Sequence, residues 1–187
     1  MIDWNSGMGE DIERTLFTEE AIRDKVGDLG RRIARDYDGK RVLLIGILNG
    51  CFPFIADLAR SMNVNLEVDF MSVSSYGGDT HSSGVVRILK DLNENIDGRH
   101  VLVVEDIIDT GLTGRYLLDN LRTRHPASVE VCALLDKREA RTEDVPVRYV
   151  GFPCPLEFVV GYGLDYDGLY RNLPFIGVLK PDVYDAP

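Results

Sequence analysis

The sequence predicts an α/β fold with a mostly parallel central sheet flanked by helices. Continuous apolar runs at Val42–Leu48 and residues 101–104 are typical of strands that are buried on both faces of a sheet. Between such runs, apolar residues recur at helical spacing, and this alternation indicates parallel strand–helix–strand units. The 187 residues contain no internal repeat and fit one domain, 1–187.

The first half of the chain contains two predicted helices. The first ends near Gly39 and has four apolar residues on one face, namely Ile22, Val26, Leu29 and Ile33. After the strand at Val42–Leu48, a turn at Asn49 and Gly50 leads into a second helix, which has Pro53 near its start. The inward residues of the second helix are Ile55, Leu58 and Met62.

The remaining elements continue the alternation. Apolar and polar side chains alternate at residues 66–70, which indicates a strand. Residues 74–84 are small, polar and rich in glycine, so we expect a long exposed loop before a short strand at residues 85–89. A strand, a helix and a strand are predicted next, at residues 101–104, 115–124 and 129–135. Ligands in sheets of this class bind at the carboxyl ends of the strands.

The acidic composition limits the classes of partner. Asp and Glu outnumber Lys and Arg by 31 to 21, and the formal net charge is −10. We do not expect a chain with this overall field to bind nucleic acid or an anionic membrane. An anionic small molecule is compatible with the charge, because a site has its own local donors and can hold a metal ion.

The cysteines and the apolar runs indicate the compartment. The number of cysteines is odd, namely Cys51, Cys132 and Cys154, and no two of them have Cys-x-x-Cys spacing. Neither a disulfide framework nor a structural zinc site is therefore expected. No apolar run approaches the roughly 20 residues that span a bilayer. The start of the chain does not resemble a signal peptide. A cytoplasmic location is therefore expected.

The stretch most informative for chemistry follows the fourth predicted strand. Glu105 and Asp106 stand at the carboxyl end of that strand, and Asp109 comes three residues later, before a small and hydroxylated loop that leads into a helix. Backbone N–H groups at the helix start, with the hydroxyls of Thr110 and Thr113, can cradle a phosphate. Carboxylates beside such a cradle repel the phosphate unless a cation intervenes, and this predicts Mg²⁺.

Two other interpretations of this stretch are open. It could be a solvated acidic turn with a threonine that caps the helix, but Ile107 and Ile108 between the carboxylates are unfavourable in an exposed loop. It could also belong to a phosphatase-like enzyme with Asp106 or Asp109 as the nucleophile. The spacing of the acids and the Gly-Leu-Thr-Gly loop suit phosphate binding better than phosphoryl transfer.

The run that ends at Gly114 resembles the phosphoribosyl-pyrophosphate signature of phosphoribosyltransferases: an apolar strand, two acids, two apolar residues, then Asp-Thr-Gly and a threonine. The form Glu-Asp-Ile-Ile-Asp-Thr-Gly is similar to the hypoxanthine-guanine branch of the purine enzymes. Gly114 itself stands where the resemblance leads us to expect a larger apolar residue. Further segments match, in order, that family's mobile loop, base-recognition lysine and hood, at residues 74–77, 136–138, 158–166 and 170–173.

The resemblance covers about residues 43–179 and implies a fold and a reaction. The fold is that of the type I phosphoribosyltransferases, with a small hood subdomain formed by the N-terminal segment and approximately residues 137–187. The reaction is the transfer of ribose 5-phosphate from phosphoribosyl pyrophosphate to N9 of a 6-oxopurine, hypoxanthine or guanine, with Mg²⁺ as cofactor. The family also implies a homodimer or homotetramer.

By the same resemblance, the acids and the loop after them have separate roles. Glu105 and Asp106 would hold the metal and the ribose hydroxyls, with Asp165 as a further metal ligand. Asp109 would be the catalytic base near the purine. The 5-phosphate would be bound by the loop residues Asp109, Thr110, Gly111, Leu112 and Thr113.

The resemblance also implies a set of residues around the purine. Lys137 would donate to the 6-oxo group and Phe158 would stack on the base. Val159, through its backbone, and Asp165 would lie at the Watson–Crick edge. Apart from the resemblance, a lone lysine after a strand, such as Lys137, is usually just solvated, and a phenylalanine beside two valines, such as Phe158, is more often a core residue.

Pyrophosphate would be bound by Asn49, Gly50 and Arg171. Asn49 departs from the family, which usually has a lysine or arginine there, so the charge of that residue is missing. Without a ligand, Arg171 would form a surface ion pair with Asp165 or Asp167. Two further residues, Ser75 and Tyr76, would move with a loop that closes to exclude water from the activated sugar.

A regulatory protein that senses phosphoribosyl pyrophosphate or nucleotides on the same fold is the other function that the resemblance leaves open. Such regulators usually lack the acid pair, the loop or the hood, and this sequence has all three. A regulator of this kind would bind the ligands without turning them over.

Overall fold

The computed structural model describes residue 4 and residues 7–75 and 86–184. The strands are β1 (Ile12–Phe17), β2 (Val42–Leu48), β3 (Leu66–Ser75), β4 (Val86–Lys90), β5 (His100–Ile108), β6 (Ser128–Asp136), β7 (Tyr149–Pro153), β8 (Val159–Val160) and β9 (Ile176–Leu179). The helices are α1 (Glu19–Asp36), α2 (Phe52–Ser61), α3 (Leu112–Arg122) and α4 (Pro181–Tyr184). Within these described ranges, no helix is long and apolar enough to cross a membrane.

The predicted mostly parallel sheet is confirmed. It has six strands in the order β4-β3-β2-β5-β6-β7. The neighbours from β3 to β7 run parallel, and β4 at the edge is antiparallel to β3. The carboxyl ends of the central strands β2, β5 and β6 therefore lie at the same edge of the sheet.

The buried strands divide their side chains between two cores. Val42 and Leu44 of β2 pack with the apolar faces of α1 and α2. Leu43 and Ile45 of the same strand face the opposite side, where Leu117 of α3 packs. Both faces of β2 are covered, which explains why its sequence is continuously apolar rather than alternating.

Local sequence signals set the helix starts. Thr18 caps α1, since its Oγ1 accepts the N–H of Ala21 at 3.2 Å, and Pro53 lies in the first turn of α2. We expected the third helix to begin at residue 115, but α3 begins at Leu112. The reason is Gly111, whose left-handed φ of 88° turns the chain into the helix at once.

A second, three-stranded sheet with the order β1-β9-β8 is not predicted from the sequence. It joins segments near the two ends of the chain, the same segments from which we predicted the hood. The strands are short, and β1 pairs with β9 across almost the whole chain, so they leave no periodic pattern. One part of the predicted hood belongs elsewhere: β7 pairs with β6 in the large sheet, where its Tyr149 is fully buried.

β3 differs from the expected strand in which of its side chains are buried and in its length. Val68 is exposed, whereas its polar neighbour Asp69 is only 5% exposed. The strand also continues through Ser75, so residues 74 and 75 belong to β3 and not to the expected loop. Residues 76–85 lie outside the described ranges.

The buried carboxylate of Asp69 joins β3 to the segment that follows β4. It accepts the backbone N–H groups of Asn93 and Phe70, each at 2.7 Å, and Nζ of Lys90 lies 3.5 Å away. Burial alone would raise the pKa of Asp69, but these hydrogen bonds and the ammonium of Lys90 outweigh it and hold the pKa below 3.8.

Asp69→Asn should lower the free energy of unfolding at neutral pH by about 1.5–3 kcal/mol, because charge-assisted hydrogen bonds are lost. A carboxylate with a lowered folded-state pKa stabilises the fold above its unfolded value of 3.8, and that contribution disappears as the pH falls through the folded value. Urea titrations at a series of pH values should therefore show the whole difference in the free energy of unfolding between variant and parent above about pH 5. The difference should become smaller below about pH 4.

Asp119→Asn, on the exposed face of α3, is the control for this measurement. Its effect on the unfolding free energy should stay within about 0.5 kcal/mol. A difference between parent and Asp69→Asn that stayed constant from neutral pH down to about pH 3 would contradict the role given to the carboxylate.

Candidate functional site

The acid pair lies inside β5 rather than after it. We expected this strand to end at residue 104, but β5 continues to Ile108 because Glu105, Ile107 and Ile108 keep their pairing with β6. The pairing with β2 stops at Val104. The last part of β5 is therefore supported by a neighbouring strand on one side, and it carries both acids there.

Both acids are held where their charged forms are disfavoured. Burial raises the pKa of Glu105 well above 4.5, and repulsion from Asp106 raises it further. Burial also raises the pKa of Asp106 to about 6, although its Oδ1 accepts the N–H of Ile107 at 3.0 Å. Arg171 lowers the pKa of Asp106 and Asp165 raises it, so these residues lie within electrostatic range. A cation or strong hydrogen-bond donors would stabilise the charged forms of both acids.

The predicted metal ligands Glu105, Asp106 and Asp165 do not form a ready-made metal site. Across the described residues, no three His, Cys, Asp or Glu side chains lie close enough together to hold a metal ion. Asp165 engages both of its carboxylate oxygens within its own loop: Oδ1 pairs with Arg171 and Oδ2 accepts the N–H of Gly168, each at 2.8 Å. A cation bound by the two acids of β5 would need its remaining oxygen ligands from substrate or water.

The loop from Asp109 to Thr113 forms the amino end of α3. Asp109 and Thr110 are exposed, and Gly111 occupies the cap position. Gly111 has no side chain to cap the helix, in contrast to Thr18 of α1, and Oγ1 of Thr110 accepts the N–H of Leu112 at 3.5 Å. Backbone N–H groups at a helix start attract anions. The geometry of the loop thus suits a phosphate group.

A segment between β6 and β7 packs against this phosphate loop. The carbonyl O of Thr110 accepts the N–H of Thr142 at 2.9 Å and that of Glu143 at 3.0 Å. A Cβ atom on Gly111 would lie 2.8 Å from the carbonyl O of Glu143 and 3.2 Å from Cγ2 of Val145. The sequence analysis gave this segment no role, because backbone atoms make most of its contacts and leave no motif.

Lys137 follows β6 and lies beside the end of β5. Its N–H donates to the carbonyl O of Ile108 at 3.0 Å, and its Nζ is 3.5 Å from Oδ2 of Asp109. The side chain is 13% exposed, so it is not the solvated lysine that its place in the sequence alone indicates. The structure therefore brings together the two residues predicted to act at the purine as donor and as base.

The turn after β2 reaches the acid pair through its backbone. A Cβ atom on Gly50 would collide with Oδ2 of Asp106, and one on Gly163 would collide with the carbonyl O of Gly50. Three segments meet here with no room for a side chain. Asn49 is exposed, and the peptide bond that precedes it is cis.

Arg171 forms the ion pair with Asp165 that its ligand-free interpretation predicted, at 2.8 Å. Its Nη1 also donates to the carbonyl O of Gly163 at 2.7 Å. The pair is partly buried rather than fully exposed, with Arg171 at 26% exposure. Since Arg171 also lowers the pKa of Asp106, its charge acts on the acid pair as well as on its own loop.

Phe158 is neither buried core nor an isolated surface ring. It is 37% exposed, stacks on Tyr184 of α4 at 5.0 Å between ring centroids, and meets Tyr166 edge-on at 5.6 Å. Val159 is buried and pairs with Val178 of β9, so it can contact a ligand only through its backbone. The stacking of Tyr184 could not be read from the sequence, because the two aromatic residues lie in separate elements.

The residues predicted for the closing loop are Ser75 and Tyr76. Ser75 ends β3 and pairs with Val86 at the start of β4, so the two described ends of the loop are neighbours. Tyr76 lies outside the described residues.

A cavity of about 690 Å³ lies at the other end of the sheet, lined by residues 38–41 and 63–66. These residues precede β2 and β3, whereas ligands in parallel α/β sheets bind beyond the carboxyl ends of the strands. We therefore place the candidate active site where β5, the phosphate loop, the turn after β2 and the hood converge.

Comparison with known proteins identifies the family. Residues 14–167 match the family model described as "Phosphoribosyl transferase domain". The chain belongs to the phosphoribosyl transferase family. The matched residues include the acid pair, the phosphate loop, Lys137 and Phe158.

Individual relatives agree with this assignment. The hypoxanthine-guanine phosphoribosyltransferase of Bacillus subtilis is 50% identical over 179 residues, which are 96% of this chain and 99% of that protein. The bifunctional protein TilS/HprT of Listeria monocytogenes is 49% identical over 183 residues, 98% of this chain, but the chain spans only 28% of its length. The crystal structure of a hypoxanthine phosphoribosyltransferase from Staphylococcus aureus matches with a TM-score of 0.93 and 47% identity, and covers 97% of this chain and 99% of that one. The type I phosphoribosyltransferase fold is thereby confirmed.

Gly111→Ala should weaken phosphate binding by moving the segment that packs on the loop. The new Cβ would lie 2.8 Å from the carbonyl O of Glu143, so one of the two backbones has to shift. We expect the affinity for ribose 5-phosphate, measured by titration calorimetry, to fall about tenfold or more, because a misplacement of about 1 Å can cost on the order of 100-fold.

Gly39→Ala is the matched control for this substitution. Gly39 has a similar φ of 70° but open space around it, so alanine there should show the conformational strain, about 1 kcal/mol, without a loss of affinity. Parental ribose 5-phosphate affinity in Gly111→Ala would mean that this loop does not hold the phosphate.

Proposed function

We propose that this protein is a purine salvage enzyme that transfers the 5-phosphoribosyl group of phosphoribosyl pyrophosphate to N9 of hypoxanthine or guanine and releases pyrophosphate. The observation that carries the proposal is the meeting of the glycine-capped amino end of α3 and a partly buried acid pair at the carboxyl end of β5, with Lys137 beside Asp109 at the same edge. The name of the Bacillus subtilis relative, 50% identical over nearly the full length of both chains, supports it.

The charges of this reaction explain which parts the site needs. As the bond at the anomeric carbon breaks, positive charge develops on the sugar and negative charge on the departing pyrophosphate. The N–H groups at the start of α3 would hold the 5-phosphate, and Arg171 with the backbone of Asn49 and Gly50 would bind the pyrophosphate. Since Asn49 is uncharged, Arg171 and backbone N–H groups would carry more of this binding than in relatives with a cation there.

Mg²⁺ fits the acid pair by the chemistry of its ligands, because carboxylate and phosphate oxygens are the ligands that this ion prefers. Glu105 and Asp106 would hold it. Burial raises the pKa values of both acids, and a divalent ion would stabilise their charged forms. When bound, the ion would neutralise charge on the pyrophosphate. Asp165 would support the site indirectly through Arg171, its partner at 2.8 Å.

The purine would be recognised on the side of β6 and the hood. Lys137 would donate to the 6-oxo group, Phe158 would stack on the base, and backbone atoms of Val159 would lie at its edge. Asp109, 3.5 Å from Nζ of Lys137, would accept the proton that the purine loses. The loop that contains Ser75 and Tyr76 would close to exclude water.

The sequence-based expectations on assembly and location belong to the same proposal. A homodimer or homotetramer is supported by the resemblance to the family, and a cytoplasmic location by the unpaired cysteines, all three of which are buried.

The test of the proposal is an assay with phosphoribosyl pyrophosphate, Mg²⁺ and each purine base in turn. We expect nucleotide formation with hypoxanthine or guanine and little with adenine, because the ammonium of Lys137 would face a second donor at the 6-amino group. Mispaired polar sites can discriminate by on the order of 10⁴ in kcat/KM. Similar kcat/KM values for adenine and hypoxanthine would contradict the purine assignment. Binding of phosphoribosyl pyrophosphate without turnover would favour the regulatory protein. Release of phosphate from simple esters would favour the phosphatase-like enzyme.

Asp109→Asn should lower kcat while leaving the affinity for phosphoribosyl pyrophosphate largely intact. The amide keeps the shape of the side chain but cannot accept a proton, and a general base contributes roughly 10²–10⁴-fold. Asp38→Asn, the same change at the amino end of the sheet, should leave both quantities at the parental value. Parental turnover in Asp109→Asn would mean that another group accepts the proton.

A further inference from the structure

Arg141 connects two parts of the site and has no role in the sequence motifs. It follows β6 after a short 3-10 turn, and its side chain is only 15% exposed. Its Nη2 donates to Oδ1 of Asp136 at 2.7 Å, and its Nη1 donates to the carbonyl O of Val145 at 2.7 Å. One guanidinium thus spans the end of β6 and the segment that leads to β7.

The Asp136 end of this bridge is fixed by the large sheet. Asp136 is the last residue of β6, and its carboxylate is 5% exposed. Its carbonyl O accepts the N–H of Cys154 at 2.9 Å, and the next residue, Lys137, donates its N–H to Ile108 of β5 at 3.0 Å. Because a buried carboxylate without a partner is strongly unfavourable, the contact with Arg141 is a required one.

The Val145 end of the bridge reaches the phosphate loop. Between Arg141 and Val145 the chain donates the N–H groups of Thr142 and Glu143 to the carbonyl O of Thr110, at 2.9 and 3.0 Å. Oγ1 of Thr142 donates to the same oxygen at 3.3 Å. Gly111 also lies close to this segment, since a Cβ atom added to it would be 2.8 Å from the carbonyl O of Glu143. The phosphate loop therefore rests on residues 142–145, and Arg141 ties those residues to β6.

We infer that Arg141 is a positioning residue for the phosphate-binding loop. It holds residues 142–145 against Thr110 and Gly111, and it thereby sets the place of the N–H groups at the start of α3 relative to Lys137. A guanidinium suits this role because its rigid fork holds two acceptors at once, whereas an ammonium is a point charge. The inference rests on the proposed function in that the loop is taken to bind the 5-phosphate of the substrate.

Arg141→Met tests the inference, because methionine keeps most of the length and removes the charge and both donors. We expect the affinity for ribose 5-phosphate, measured by titration calorimetry, to fall about tenfold or more, as expected for a displaced binding loop. In the nucleotide assay, the KM for phosphoribosyl pyrophosphate should rise by a similar factor, while the KM for hypoxanthine should change less than about twofold.

Arg148→Met is the matched control. Like Arg141, Arg148 donates to two acceptors, in this case the carboxylates of Asp36 and Glu130, each at 3.1 Å. It lies just before β7, at the other end of the sheet. Its loss removes the same kind of ionic contact without touching the phosphate loop, so the affinity for ribose 5-phosphate should stay parental. A loss equal to that of Arg141→Met would indicate a general effect on the fold and overturn the inference.

Arg141→Lys covers the case in which Arg141→Met does not fold, as judged by circular dichroism. Lysine keeps a positive charge beside Asp136 but cannot reproduce the fork, so we expect a folded protein with intermediate affinity for ribose 5-phosphate.

Parental affinity for ribose 5-phosphate in folded Arg141→Met overturns the inference. If only Arg141→Lys folds, parental affinity in that variant overturns it. Failure of both variants to fold also overturns it. A parent that binds ribose 5-phosphate but forms no nucleotide contradicts the proposed function alone, and the calorimetric comparison then still decides on Arg141. A parent that does not bind it contradicts both.

Discussion

The uneven pairing of the central strand β5 is the constraint on which the site depends. Its register with β2 ends at Val104, whereas its register with β6 continues to Ile108. β5 can continue beyond its pairing with β2 because β6 satisfies its backbone on the other side. The residues of this last part include the acid pair. Had both neighbours continued equally far, the turn after β2 would not have the space beside β5 that Gly50 now occupies.

Close backbone contacts complete this arrangement. Gly50 and Gly163 approach Asp106 and each other at distances that exclude a side chain, so the turn, the central strand and the hood loop share one small volume. The hood itself is anchored by the N-terminal segment. The hydroxyl of Tyr170 donates to Oδ2 of Asp11 at 2.7 Å, and β1 pairs with β9. The segment that carries Arg171 is thus held in place by contacts between the two ends of the chain.

Local charge, rather than the net charge of −10, decides what this site can bind. Asp109 is paired with Lys137 and Asp165 with Arg171, so two of the carboxylates at the site have cationic neighbours. Glu105 and Asp106 lie mainly among buried groups, and their pKa values are raised. An acidic protein can therefore bring together a helix end and two cationic side chains, where a phosphorylated ligand is proposed to bind.

The sequence by itself determined the parts of this protein that are encoded by neighbouring residues. The apolar runs of β2 and β5 indicated a parallel sheet, and the run from Glu105 to Thr113 indicated acids followed by a phosphate loop. Such features can be read directly because strand burial, glycine conformation and helix starts depend on side chains within a few positions of one another.

Only the tertiary structure decided how far β5 extends, which strands form the second sheet, that Arg171 pairs with Asp165 rather than with Asp167, and that Arg141 connects Asp136 with the phosphate loop. Each of these depends on hydrogen bonds or ion pairs between segments that come together only when the chain folds. The contacts of Gly50, Gly163 and Thr110 are made by backbone atoms, which are the same in every residue and therefore leave no trace in the sequence. Residue types set which chemistry was available at the end of β5, and packing over long separations set which groups share that space.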